Sequence, residues 1–523
     1  MGRGFNPVAI EDGGTSATTP FSARRALGIS EGASTDDFLF AGDMSPSASS
    51  AVNTSVITDL LALARTKGSK TVVMPGGIFS VAGFRPPGTA PIATDFPSQG
   101  ITLRGSGDGY QQAGSTTRGI ATILRFTSGA TSGIGGSTTS YGIYQDNAVQ
   151  WCNFADFMID GNSVIDYGLR ITSQINVRRI TSRGCNVGGF RGQTMDTTYC
   201  ERLVGTSNAG AGIVIDHASA SDSTNATPNT VSLFVGCVFS GNTGAGMVLN
   251  EGSFLKFLSN VIQSNTSFGV TMKTASGLPG PNSCEFDSCW LEGNGGGVDK
   301  YQVVIDSLDA SPNYPSFNKF RNCRMDPLTT NKTIHIVKGI GNIFEDNQYT
   351  AGAVGAIDLD AGASDNRFKG VMVGTITDAG NRNYQYDRWV TPSFSAGNFT
   401  ANGAMTWTVD SGDVATYIWS VREKMMTIAW WINTTTVGGT LNTNLQIAIP
   451  NGFLSAGQVG VPFTYSDNGA QAFGFATVSN GAANVTLQTG AAVSATTGNW
   501  SASTNNTAVA GSITFPVQNP LNT

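Results

Sequence analysis

The sequence predicts an all-β chain whose main body is a right-handed parallel β-helix, a solenoid of stacked coils. Three observations carry this. First, the pattern apolar-x-x-(apolar, Cys or Asn) starts at Phe154, Val177, Cys200, Phe234, Phe257, Phe286, Phe320, Phe344 and Phe368, at intervals of 23, 23, 34, 23, 29, 34, 24 and 24 residues. A period in the twenties with columns one residue wide means coils stacked on coils, with like residues above one another. Second, the position three residues on reads Phe157, Ile180, Leu203, Cys237, Asn260, Cys289, Cys323, Asn347 and Val371. The residue types are β-branched and aromatic, which favours strand-built coils over helical or leucine-rich ones. Third, a Gly followed by a short β-prone run recurs: Gly168-Leu169-Arg170-Ile171, Gly212-Ile213-Val214-Ile215, Gly246-Met247-Val248-Leu249 and Gly269-Val270-Thr271-Met272. Each reads as a turn feeding a half-buried strand.

Composition agrees. The chain has 523 residues, 66 of them Gly, and only 13% are charged. That describes a turn-rich β protein long enough for a large core and several domains. A net charge of −6 argues against a nucleic-acid partner, which would need a basic face. Seven cysteines is an odd number, and Cys237, Cys289 and Cys323 fall in one inward column. They read as small buried hydrophobes rather than disulfides or metal ligands. The two histidines, His217 and His335, are far apart, so neither a metal nor a cofactor is expected. No apolar run suits a signal peptide or a membrane span, which predicts synthesis in a cytoplasm and no membrane insertion.

In chain order, residues 1–30 are rich in Gly, Thr and Ala and cannot build a core, and 31–50 read as a linker. A helix is predicted from Asn53 to Lys67, with Asn53 or Thr54 as N-cap and Gly68 closing it. Val56, Ile57, Leu60, Leu61 and Ala64 share one of its faces. Strands follow at 71–79, 101–104 and 121–126, and the β-helix is expected from about Thr71 to Asn381. A solenoid end exposes apolar strand edges, so a capping helix there meets a physical need. One residue after the anchors, Asp287, Arg321, Glu345 and Lys369 alternate in sign. Stacked at ~4.8 Å they would pair on a solvated face. Beyond Thr391-Pro392 the repeat stops. Short Thr/Val/Ala strands with Asn-Gly turns at Asn402, Asn451, Asn468 and Asn480 predict antiparallel hairpins in a sandwich or jelly roll. Of Trp430 and Trp431, alternation must turn one inward. The domains expected are 1–50, 51–390 and 391–523.

Several phrases carry a resemblance. Gly13-Gly14-Thr15-Ser16-Ala17-Thr18-Thr19 with Ala23-Arg24-Arg25-Ala26-Leu27-Gly28 resembles a phrase common in bacteriophage tail fibre and tailspike proteins. The helix followed by TVVMPGGIF and ITLRGSG is similar to the first coils of pectate-lyase-like β-helices, many tailspikes among them. The stretch GAMTWTVDSGDVATYIWSVREKMMTIAWWI looks like the C-terminal β-domains of phage fibres, which trimerise or bind glycans. The resemblance implies a homotrimer in the virion. Residues 1–30 would dock to tail or baseplate proteins, and the spike would bind a bacterial surface polysaccharide and cleave it.

Long steps in the repeat mark insertions at 218–231, 274–284 and 295–302, around the middle coils, where a groove is expected. Acidic residues near them are Asp216, Glu251, Glu292, Asp306 and Asp326. Aligning the strands puts Asp216, Asn250 and Lys273 in one column and His217 and Glu251 in the next. Asp216 and Glu251 would then lie ~5–8 Å apart, within reach of glycoside hydrolysis by two carboxylates. Glu292 and Asp326 form a second candidate pair, at ~5 Å. Trp290 suits stacking on a sugar and Arg324 suits an acidic one, with His217 and Lys273 as further substrate contacts. Each acid is also an ordinary surface carboxylate until geometry says otherwise. The leading reading is therefore an endo-glycosidic depolymerase. Its rivals are a binding-only or structural spike and a polysaccharide lyase using Ca²⁺ with Lys273 as base.

Overall fold

A computed structural model describes residues 38–66, 71–86, 100–107, 121–131, 138–145, 152–217, 228–274, 277–295, 301–308, 313–327, 332–349, 357–370, 376–385, 389–422, 424–490 and 498–518. The adaptor expected at 1–30 and parts of the three insertions (218–227, 275–276 and 296–300) lie outside them. The described residues fall into two compact units. One lies within Met1–Gly339, Asp346–Asp360 and Val371–Thr377, the other within Ile340–Glu345, Ala361–Gly370 and Asp378–Thr523.

The first unit is the parallel β-helix, and one coil explains the rest. Leu233–Val235 forms a strand on a first face, Val238–Ser240 on a second and Met247–Leu249 on a third. Bends separate the first two faces at Gly236 (φ 60) and end the second at Gly241 (φ 63), a backbone region that favours Gly. The next coil pairs parallel and in register, Phe234 opposite Phe257, Phe239 opposite Ile262 and Met247 opposite Val270. Phe234, Phe257, Phe286 and Phe320 stack inside with centroids 5.0, 4.5 and 4.5 Å apart. Burial of such a column is what the spacing of the anchors encodes.

A polar ladder runs beside this apolar one. The buried Asn208, Asn242, Asn265 and Asn294 each sit eight residues after an anchor. Side-chain Nδ2 donates to the next Oδ1 at 2.9, 2.9 and 2.8 Å. Each of these Oδ1 atoms also takes the backbone N–H of the preceding Asn, so the amides satisfy the peptide groups a corner leaves open. All seven cysteines are free and buried. Of the expected charge ladder, Arg321 reaches Asp287 at 2.9 Å.

The capping helix begins earlier than the sequence suggests, spanning Ser50–Thr66. Ser49 Oγ accepts the Val52 N–H at 3.4 Å in the N-cap manner. Asn53 is fully buried inside the first turn and does a different job. Its Nδ2 donates to the Ser45 and Ser80 carbonyls, both at 3.0 Å, tying the helix to the strand Gly77–Ala82. Ile57, Leu60, Leu61 and Ala64 are buried, while Val56 is half-buried. Residues 67–68 lie outside the described residues. Within the expected linker, Phe38–Phe40 is a strand that pairs parallel with Thr71–Val73.

In the second unit, Asn342, Asn366 and Asn383 form a separate amide ladder at 3.0 and 2.9 Å, its first two members two residues before the anchors Phe344 and Phe368. Phe344 stacks on Phe368, and Glu345 faces Lys369 in register. The C-terminal residues form a nine-stranded antiparallel sheet that curls nearly closed around Trp407, Trp419, Trp430, Phe463 and Trp500. Asn468-Gly469, with φ 47 and 86, makes the two-residue hairpin between Val459–Asp467 and Ala470–Val478. Trp430 points inward and Trp431 outward, 2% and 56% exposed.

Candidate functional site

The third face ends at a corner where four strands finish together: Ala211–Ile215, Met247–Leu249, Val270–Thr274 and Tyr301–Ser307. Register places Ile215, Leu249 and Met272 side by side, so Asp216, Asn250 and Lys273 follow in one column as the sequence alignment predicts. Lys273 stands opposite Asp306 and reaches it at 3.7 Å. Asn250 intervenes, so Lys273 is two coils, ~10 Å, from Asp216 rather than beside it.

Asp216 is held by Arg191. The guanidinium donates from Nε at 3.1 and 3.2 Å and from a terminal nitrogen at 3.0 Å. Arg191 also donates to the Tyr141 hydroxyl at 2.5 Å and lies over the Tyr167 ring at 5.0 Å. Burial disfavours its charge, but Asp216 and then Tyr141 outweigh burial and raise its pKa. The sequence column contained Asp216 but not its partner, because Arg191 belongs to the preceding coil.

Glu251 is only 2% exposed. Burial pushes its carboxyl from 4.5 up to about 7, with Asn229 opposing and the charge of Asp216 adding to the rise. Asn229 Nδ2 donates to Oε2 at 2.8 Å, and His217 Nδ1 lies 3.3 Å from Oε1. His217 is driven the other way, below 6.5, chiefly by burial and against the pull of the Pro279 backbone and Asp216. The corner therefore holds a buried acid poised near neutrality, a neutral imidazole against it, and a guanidinium-paired carboxylate one coil away. That is the chemistry of a proton donor beside an anionic partner.

The other candidates are elsewhere. Trp290–Glu292 and Arg324–Asp326 pair on the second face, which puts Glu292 opposite Asp326 and Trp290 opposite Arg324. Trp290 is 38% exposed, and the Arg324 guanidinium lies 4.9 Å above its ring. Arg324 Nε donates to Asp326 at 2.5 Å. The pairing is as predicted, but it belongs to a different face of the coil from Asp216 and Glu251. The single groove expected from the insertions thus divides into an acid corner and an aromatic platform. A further depression of about 350 Å³ on the first face is lined by Arg104, Asp156, Arg178 and Arg179. Asp156 accepts from Arg104 and Arg179 at 2.9 and 2.5 Å. Among the described residues no group of three or more His, Cys, Asp or Glu side chains is arranged to hold a metal ion. None of the described helices is long and apolar enough to cross a membrane.

No protein-family model matches the sequence, and no curated protein does. Among solved structures, the Dettilon tailspike protein gp208 is similar at a TM-score of 0.56 and 11% identity, over 92% of this chain and 95% of that one. Also similar are the enzymatically active domain of bacteriophage CBA120 tailspike protein 2 (0.44, 9%, over 92% and 71%) and the A-module of the Azotobacter vinelandii mannuronan C-5 epimerase AlgE6 (0.45, 14%, over 66% and 97%). The likeness to the Dettilon protein is one of fold, and it spans most of both chains.

Proposed function

We propose that this chain is a phage tailspike that binds a bacterial surface polysaccharide and cleaves it at the third-face corner. The observation that carries this is Glu251, a carboxyl pushed up to about 7 one coil from Asp216. Glu251 gives its proton to the glycosidic oxygen as the C–O bond breaks. Asp216 meets the positive charge developing on the ring, either by activating water or by attacking the anomeric carbon. The fold shared with a tailspike supports a place on the virion. In that role the chain would trimerise and dock through residues 1–30. Incubation with capsule, O-antigen or exopolysaccharide should release oligosaccharides with new reducing ends. Glu251→Gln and Asp216→Asn should abolish release, and no products from the unaltered protein would sink the cleavage reading.

A second reading, a spike that binds without cleaving, is favoured by the near-complete burial of Glu251. The exposed Trp290–Arg324 pair would then be the main glycan contact, and binding would survive both substitutions.

A further inference from the structure

The bend between the third face and the next first-face strand carries an unusual column. Its residues Val231, Phe254, Ser283 and Phe317 all have left-handed backbone, with φ of 41, 57, 54 and 56. Ser suits such a bend. A β-branched Val is a true outlier there, and Phe gains nothing from it. Yet Val231 and Phe254 are each 60% exposed and Phe317 is 39% exposed. Bulky apolar side chains therefore occupy strained positions without burying themselves, and strain held in this way points to function.

The column is straight. Thr230, Ser253, Asn282 and Ser316 bridge in parallel one residue before it. The Val231 and Phe254 N–H groups each donate across one coil at 3.1 Å. Phe254 and Phe317 thus stand two coil spacings apart, ~10 Å, with the Ser283 hydroxyl between them. The column also adjoins the acid corner. Phe254 follows Glu251 within one turn, and Val231 follows Asn229, which donates to Glu251 at 2.8 Å.

We infer that Val231, Phe254 and Phe317 form a rail on which a polysaccharide lies parallel to the long axis of the β-helix, packing the C–H faces of its rings on the two phenyl groups. The Ser283 hydroxyl between the rings, which donates to the Asn282 amide oxygen at 2.6 Å, and the hydroxyls of Ser253 and Ser316 in the adjoining column flank the phenyl groups with polar ones, which suits a sugar that offers apolar and polar groups alternately. A second copy of the chain is a poorer fit. The three side chains expose about 300 Å² together, well short of the roughly 800 Å² per partner of a stable protein interface. The inference rests on the glycan-binding reading above.

The test uses the full chain and Phe254→Ser/Phe317→Ser, which installs the residue the column already accepts at 283. Binding is measured against dextran, chitin and alginate oligomers and O-antigen fragments, with thermal midpoint and light scattering alongside. The expected result is affinity weaker by about tenfold or more, with the midpoint unchanged or raised. Unchanged affinity overturns the rail, even if cleavage persists. Loss of oligomeric state in the variant overturns it in favour of a subunit contact. Failure of the unaltered chain to bind any glycan overturns it together with the reading beneath it. Binding without product release leaves the rail standing and removes only the cleavage role of Glu251.

Discussion

Replacing Glu251 by Gln removes a carboxyl that burial pushes from 4.5 to about 7. The folded chain binds that proton more tightly than the unfolded chain, so protonation favours folding. The contribution is fully present below pH 4.5, is lost as the pH rises toward about 7, and is absent above that. The interval corresponds to about 3 kcal/mol, at about 1.4 kcal/mol for each tenfold change in proton affinity. At 2% exposure, solvent screening takes little from this figure. His217 has the opposite sign. Its pKa is lowered, so its contribution is present at high pH and is lost as the pH falls. Both proteins share His217, so the difference between them belongs to Glu251, and Gln can still accept from Asn229. Denaturant unfolding of both proteins from about pH 4 to about pH 9 should move the stability difference in favour of Gln by about 3 kcal/mol. Parallel curves would refute a dry niche at Glu251. In a glycan-cleaving chain the same titration sets the alkaline limb of the rate profile, with activity falling above about pH 7.

Three further predictions test the scaffold. Arg191→Gln leaves Asp216 without its guanidinium and should cost about 3 kcal/mol in denaturant unfolding, whereas Arg324→Ala on the exposed platform should cost about 1 kcal/mol or less. Asn265→Ala removes an amide that bonds Asn242, Asn294 and the Phe239 carbonyl. It should lower stability by about 3 kcal/mol or more, as buried donors and acceptors lose partners. Cys185, Cys237 and Cys284 are pushed up to about 12, and Cys152 to about 11, chiefly by burial. A thiol reagent at neutral pH should label these four only after denaturation.

Much of the fold was legible because a β-helix repeats its environment. Phe234, Phe257, Phe286 and Phe320 occupy one kind of site, so the same residue recurs at a countable interval. The asparagine ladder was equally countable, eight residues after the anchors, but Asn also marks turns and the spacing passes as loop composition. The helix start was misplaced for a related reason. Asn53 has the chemistry of an N-cap, and only its burial against Ser45 and Ser80 shows that it serves the strand below.

The sequence by itself determined the coil, its columns and the adjacency of Asp216, Asn250 and Lys273, since register follows from a period-two pattern with one buried side. It also determined that one of Trp430 and Trp431 must face inward. Tertiary structure decided which face each column belongs to, because the bends that turn one strand into the next depend on left-handed residues of several types. That separated Trp290 and Arg324 from Glu251. It also decided the protonation of Glu251, which depends on how much water the packed corner excludes and on charges from neighbouring coils. Desolvation is a property of the assembled corner, and no spacing along the chain records it.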